Sequence, residues 1–159
     1  AAKWTTAIEG EWIRSLESRR PDLLGRLGLR RDDMRAAVPD WEVPQSAWQA
    51  LLPCLQLPDP DDVHVLAAAI AGHADCIVTT NLKDFPSGLL ATYGVEAIHP
   101  DDFMVAQLDL DEFAALAAFR DMRARKQSPA LNAEEFTQAL ERNGLVVTAG
   151  RLRMAAELI

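Results

Sequence analysis

The stretch from Asp59 to Thr80 leaves the chain few ways to fold. Asp59-Pro60-Asp61-Asp62 reads as a helix start: an N-cap candidate, a proline at the first helical position where no amide hydrogen is needed, and carboxylates facing the positive end of the helix dipole. Val63, Leu66, Ala67, Ile70 and Ala71 carry the helix, and its many alanines let it lie close against a sheet. After a Gly-His turn comes Cys76-Ile77-Val78-Thr79-Thr80, short and β-branched, which reads as a buried strand of the parallel kind. A short helix over Ser87–Tyr93 and a second strand over Val95-Glu96-Ala97-Ile98 repeat the alternation, so the fold class is α/β.

The flanks are mostly helical. Thr6-Ala7-Ile8-Glu9 has the form of a capping box, with Ile8, Trp12 and Leu16 at helical spacing and an end near Arg19-Arg20-Pro21. A short helix from Pro21 to Leu27, stopped by Gly28, and another from Arg31 to Val38 follow. Prolines at 39, 44, 53 and 58 then divide the chain into an extended piece at Trp41–Val43 and a helical turn from Ser46 to Leu52. Beyond His99-Pro100-Asp101-Asp102-Phe103 the pattern predicts helices over Leu110–Lys126, from an Asn132-Ala133-Glu134-Glu135 capping box to Asn143-Gly144, and over Thr148–Leu158. The expected organisation is a domain over 1–104 and a helical extension over 105–159. A parallel sheet covered by helices ordinarily has about four or more strands, whereas two are clear here.

Composition narrows the function classes. The 159 residues are 49% apolar and 25% charged, an ordinary globular balance. The longest apolar run, Val65–Ala71, falls far short of the ~20 residues of a bilayer span, and the expected location is the cytoplasm. Cys54 and Cys76 sit among apolar neighbours and read as buried thiols. A net charge of −8 argues against phosphate binding through a broadly basic surface. The charge is nonetheless uneven: Arg14, Arg19, Arg20, Arg26, Arg30, Arg31 and Arg35 lie in the first quarter, either as solvated helix faces or as a track for an RNA backbone.

Carboxylates suited to metal chemistry occur in three places: Glu11 on the first helix, the Asp59/Asp61/Asp62 group at a helix start where capping alone explains it, and Asp84 with Asn81 in the loop after the first strand. Ligands of parallel α/β sheets gather at the carboxyl ends of strands. An acidic helix start just before that strand and an acid just after it point to one hard cation, Mg²⁺ or Mn²⁺; His64, His73 and His99 form no zinc pattern.

The run Leu57–Ile70 followed by Ala74–Pro86 resembles the central signature of one subgroup of PIN domains. Trp4-Thr5 through Glu11-Trp12, Arg20-Pro21-Asp22, Gly94-Val95, His99–Phe103 and Asn143-Gly144-Leu145 resemble that subgroup in the same order. The resemblance implies a three-layer α/β sandwich and a metal-dependent endoribonuclease of the VapC toxin type, with RNA as substrate, a cognate antitoxin, and a homodimer as a common form. It implies Glu11, Asp62 and Asp84 as metal-holding acids, with Asn81 standing where many members have aspartate and Thr79 and Thr80 in support. Lys83 and Arg14 are the candidates for RNA contact. The family's initial strand, ending in a further aspartate, has no counterpart before Trp4, and the missing motif coincides with the missing strand. The expectation is a separate polypeptide or a cleaved segment that supplies both, with a sequence that starts partway along a longer chain as the equal alternative. Two other readings stay open: a PIN-like binding or assembly module without catalysis, and an unrelated α/β hydrolase acting on small phosphoesters.

Overall fold

The structure, a computed structural model, describes residues 1–127 and 129–159 and divides into two units. The first unit holds residues 1–77 and 81–97, and the second 78–80 and 98–159.

Thr5 rather than Thr6 opens the first helix, α1 (Thr6–Arg19): its hydroxyl accepts from Ile8 N–H at 3.1 Å. Glu9 is thereby freed from the cap, and it is buried, accepting from Trp4 Nε1 at 3.0 Å and from the Arg35 guanidinium. Arg35 also lies 4.5 Å over the Trp41 ring, which stacks on Trp4. Pro21–Leu23 forms only a 3-10 turn, and Gly28 begins α2 (Gly28–Ala37) instead of ending a helix. The extended piece is present as a parallel bridge between Trp4 and Glu42. The turn after it is α3 (Gln45–Trp48) followed by a 3-10 segment, Gln49–Cys54. Cys54 is exposed on that segment and Cys76 half-buried, so neither thiol has the apolar enclosure expected of it.

Asp59 caps a 3-10 turn, Pro60–Asp62, which runs into α4 (Val63–Ala71). Leu66 and Ala67 of α4 are fully buried, packed with Val43, Trp48, Ile77, Phe85 and Leu90 in the core of the first unit. Gly72 ends α4 where a Cβ would stand 2.9 Å from Val43 Cγ2 and 3.0 Å from Ala68 O. No side chain fits there without a shift.

The strands are shorter than the sequence suggests. β1 is Cys76–Val78, with Val78 44% exposed, and β2 is Glu96–Ile98. They pair in parallel: Glu96 N–H donates to Asp75 O and Thr79 N–H to Ile98 O, so both strands advance together. Between them lie α5 (Ser87–Leu90) and a 3-10 turn closed by Gly94 at φ 70°.

In the second unit a helix begins earlier than expected. α6 (Pro100–Leu110) is capped by the imidazole of His99, whose Nδ1 accepts from Asp101 N–H at 3.1 Å. It is followed by α7 (Glu112–Arg125), α8 (Ala133–Arg142) with the Asn132/Glu135 capping box in place, and α9 (Val146–Met154). Leu108, Leu116, Phe119, Phe136 and Leu152 form its core. Leu145, the residue before α9, gives it no side-chain cap among the described residues. Buried Asp101 supplies one from α6, accepting from Val147 N–H at 2.8 Å and Thr148 N–H at 2.9 Å.

Candidate metal centre

Three carboxylates of the first unit converge. Asp59, Asp62 and Asp84 each offer an oxygen, and these oxygens lie within 4.8 Å of one another. Local structure puts each of them there. Asp59 is held as the cap of the turn that opens α4, its Oδ1 accepting from Asp61 N–H at 2.9 Å. Asp62 ends that turn, and Asp84 ends the 3-10 turn Leu82–Asp84 that follows β1. Its side chain is only 15% exposed. Asn81 joins the group from the same loop, its Nδ2 donating to Asp62 Oδ2 at 3.4 Å.

Burial, together with the neighbouring charges of Asp59 and Asp84 and, more weakly, Glu11, pushes the Asp62 carboxyl above its ordinary range, while His64 works the other way. Half-buried acids that repel one another are held together against their own electrostatics, and a cation is what such a group can accept. The donors are all oxygen. They suit a hard divalent ion that keeps some of its water, not zinc.

The structure thus brings Asp62 and Asp84 together, adds Asn81, and adds Asp59, which reads in the sequence as a cap and is a cap as well. Glu11 lies outside the three-carboxylate group. Its Oε1 is 2.9 Å from His64 Nε2, and both residues border an open pocket with Pro60, Asp61 and Leu55. Lys83 is 83% exposed and 3.8 Å from Asp84, and Arg14 is exposed on α1 with its guanidinium lying across Gly10. Thr79 and Thr80 belong to the second unit.

Comparison with known proteins returns the family that the motifs resemble. Residues 15–83 match the PIN domain family, and residues 100–154 match the VapC50 C-terminal domain family. A Mycobacterium tuberculosis (strain ATCC 25618 / H37Rv) protein named "Putative ribonuclease VapC50" is 54% identical over 61 residues. That match covers 38% of this chain and 36% of the relative's length, so the chain spans about a third of it. No solved structure matches. Asp59 and Asp62 fall inside the PIN-matched stretch and Asp84 directly after it.

Proposed function

We propose that this chain, a VapC-type PIN domain over residues 15–83 joined to a VapC50-type C-terminal domain over residues 100–154, is a metal-dependent endoribonuclease acting as the toxin of a bacterial toxin–antitoxin pair. The observation that carries the reading is the convergence of Asp59, Asp62 and Asp84, two of them in the PIN-matched stretch and one beside it. Those three would hold Mg²⁺ or Mn²⁺, with Glu11 as a further acid. A bound cation would supply Lewis acidity, easing deprotonation of water and offsetting charge on the phosphate being attacked. The chain's own residues do the rest. Asn81 fixes the orientation of Asp62 by its amide, without adding a second negative charge. Lys83 and Arg14, both exposed, would meet the RNA backbone, Lys83 as a point charge and Arg14 through its planar guanidinium. The partner would be a cognate antitoxin in the cytoplasm.

A further strand bearing one more aspartate would extend the sheet, which among the described residues consists of β1 and β2. The test is cleavage of mixed cellular RNA with Mg²⁺ or Mn²⁺ by this chain, alone and with an added segment bearing such a strand, each repeated with Asp62→Ala. Cleavage that Asp62→Ala abolishes is expected. A folded complex that cleaves nothing favours a PIN-like binding module instead, and cleavage indifferent to Asp62→Ala refutes the site. Thermal melting gives a second readout. Because Asp62 is charged at a cost, Asp62→Asn should melt higher than the native chain without divalent ions. It should also lose the added stability, about 2.7 kcal/mol at a hundredfold excess over Kd, that a bound cation confers.

A further inference from the structure

His64 follows Asp62 by two residues, at the start of α4, and its side chain is 14% exposed. Its ring lies 6.2 Å from that of Trp48. Among the described residues neither ring nitrogen has an aligned hydrogen-bond partner, and both are buried. Glu11 Oε1 lies 2.9 Å from Nε2 but off the line of the N–H. Buried polar groups are almost always partnered, so an imidazole packed against Trp48 with its donor beside a carboxylate is an arrangement to be explained.

The carboxylate in question is mobile by nature. The Glu11 side chain is 47% exposed, and among the described residues His64 is the group it pairs with. Left in water, a glutamate samples many rotamers, and ordering it has an entropic cost. The imidazole is the fixed member of the pair, and the pocket they share is also bordered by Pro60 and Asp61, the residues between Asp59 and Asp62.

We propose that His64 is a positioning residue: its imidazole holds the Glu11 carboxylate beside the Asp59–Asp62–Asp84 group, so that Glu11 completes the oxygen ligands of the divalent cation. This rests on the reading of that group as a cation site. Outer groups that orient metal ligands typically change affinity by about 10–100-fold when removed.

The experiment is Mn²⁺ binding by calorimetry to the native chain, His64→Phe, His64→Gln, Glu11→Ala and Asp62→Asn, with the folded fraction of each checked by circular dichroism. Affinity should fall by about 10-fold or more in His64→Phe and by as much in Glu11→Ala, and should recover to within a few-fold in His64→Gln, which keeps a donor for Glu11. A merely structural histidine would lower stability but leave the affinity of the folded fraction unchanged, and that result in His64→Phe overturns the inference. Should His64→Phe not fold, His64→Ala takes its place, and native affinity in its folded fraction, or in Glu11→Ala, overturns the inference equally. Native affinity in Asp62→Asn instead overturns the cation site itself.

Discussion

Replacing Asp101 by alanine should cost the second unit about 3 kcal/mol. Its carboxylate accepts from two amides of α9, at 2.8 and 2.9 Å, while sitting in the first turn of α6. One buried charge thus faces the positive ends of two helices. Hydrogen bonds to a charged group contribute roughly 1.5–3 kcal/mol each, and loss of an N-cap alone costs roughly 0.5–2 kcal/mol. The two bonds share one carboxylate and do not add fully, hence a value near the top of the single-bond range. The pH dependence separates this account from a packing defect. Burial pushes the Asp101 carboxyl up, but hydrogen bonds from Thr148 and Val147, with His99 nearby, outweigh it and hold the group below its ordinary 3.8. A depressed carboxyl contributes stability that is present above 3.8 and is lost as pH falls through the lower folded value. The deficit of Asp101→Ala should therefore be flat near neutrality and narrow in acid. Urea unfolding followed by circular dichroism measures it; tryptophan fluorescence is a poor probe, because Trp4, Trp12, Trp41 and Trp48 all lie in the first unit. Amide exchange at Val147 and Thr148 should quicken in the variant. A loss under about 1 kcal/mol, or a deficit that does not narrow at low pH, refutes the reasoning.

Arg35→Met removes the guanidinium from Glu9, whose side chain is 4% exposed and whose carboxyl is held below its ordinary 4.5 chiefly by that partner. Urea titrations should show a loss at neutral pH that shrinks as the acid is protonated, and Glu9→Leu added to Arg35→Met should restore most of it. Leu66→Ala, at a position with no exposed surface in the core of the first unit, should cost about 2–5 kcal/mol by the same measurement. A smaller loss would mean that α4 closes over the gap.

Much of this was legible in the residues because it is local. The Asp59-Pro60 helix start, the Asn132/Glu135 box and the two strands are patterns of five residues or fewer, and the structure has them all. What escaped is either non-local or doubly explained. Glu9 looks like a capping-box acid, and nothing near it announces a partner 26 residues on. Asp101 lies ahead of the helices expected from Leu110, yet it stands in the first turn of α6 and its carboxylate also serves a helix 46 residues later. Asp59 was masked by its own good reason to be a cap. Threonines at both 5 and 6 left the start of α1 ambiguous by one, and a histidine as the cap of α6 is no part of the usual helix-start signal. For the candidate site, the acids could be named from spacing, but that Glu11 meets an imidazole while Asp59 meets Asp62 and Asp84 depends on how α1 and α4 pack.

The shared cap of α6 and α9 also sets a schedule for synthesis. A ribosome adding roughly 5–20 residues per second makes α6 some seconds before it reaches the two amides that Asp101 binds, 46 and 47 positions further on. In that interval the nascent carboxylate is solvated and the helices around it lack their keystone. The second unit closes only after α9 has been made, and until then its Leu108, Leu116 and Phe119 lack the Leu152 they pack with.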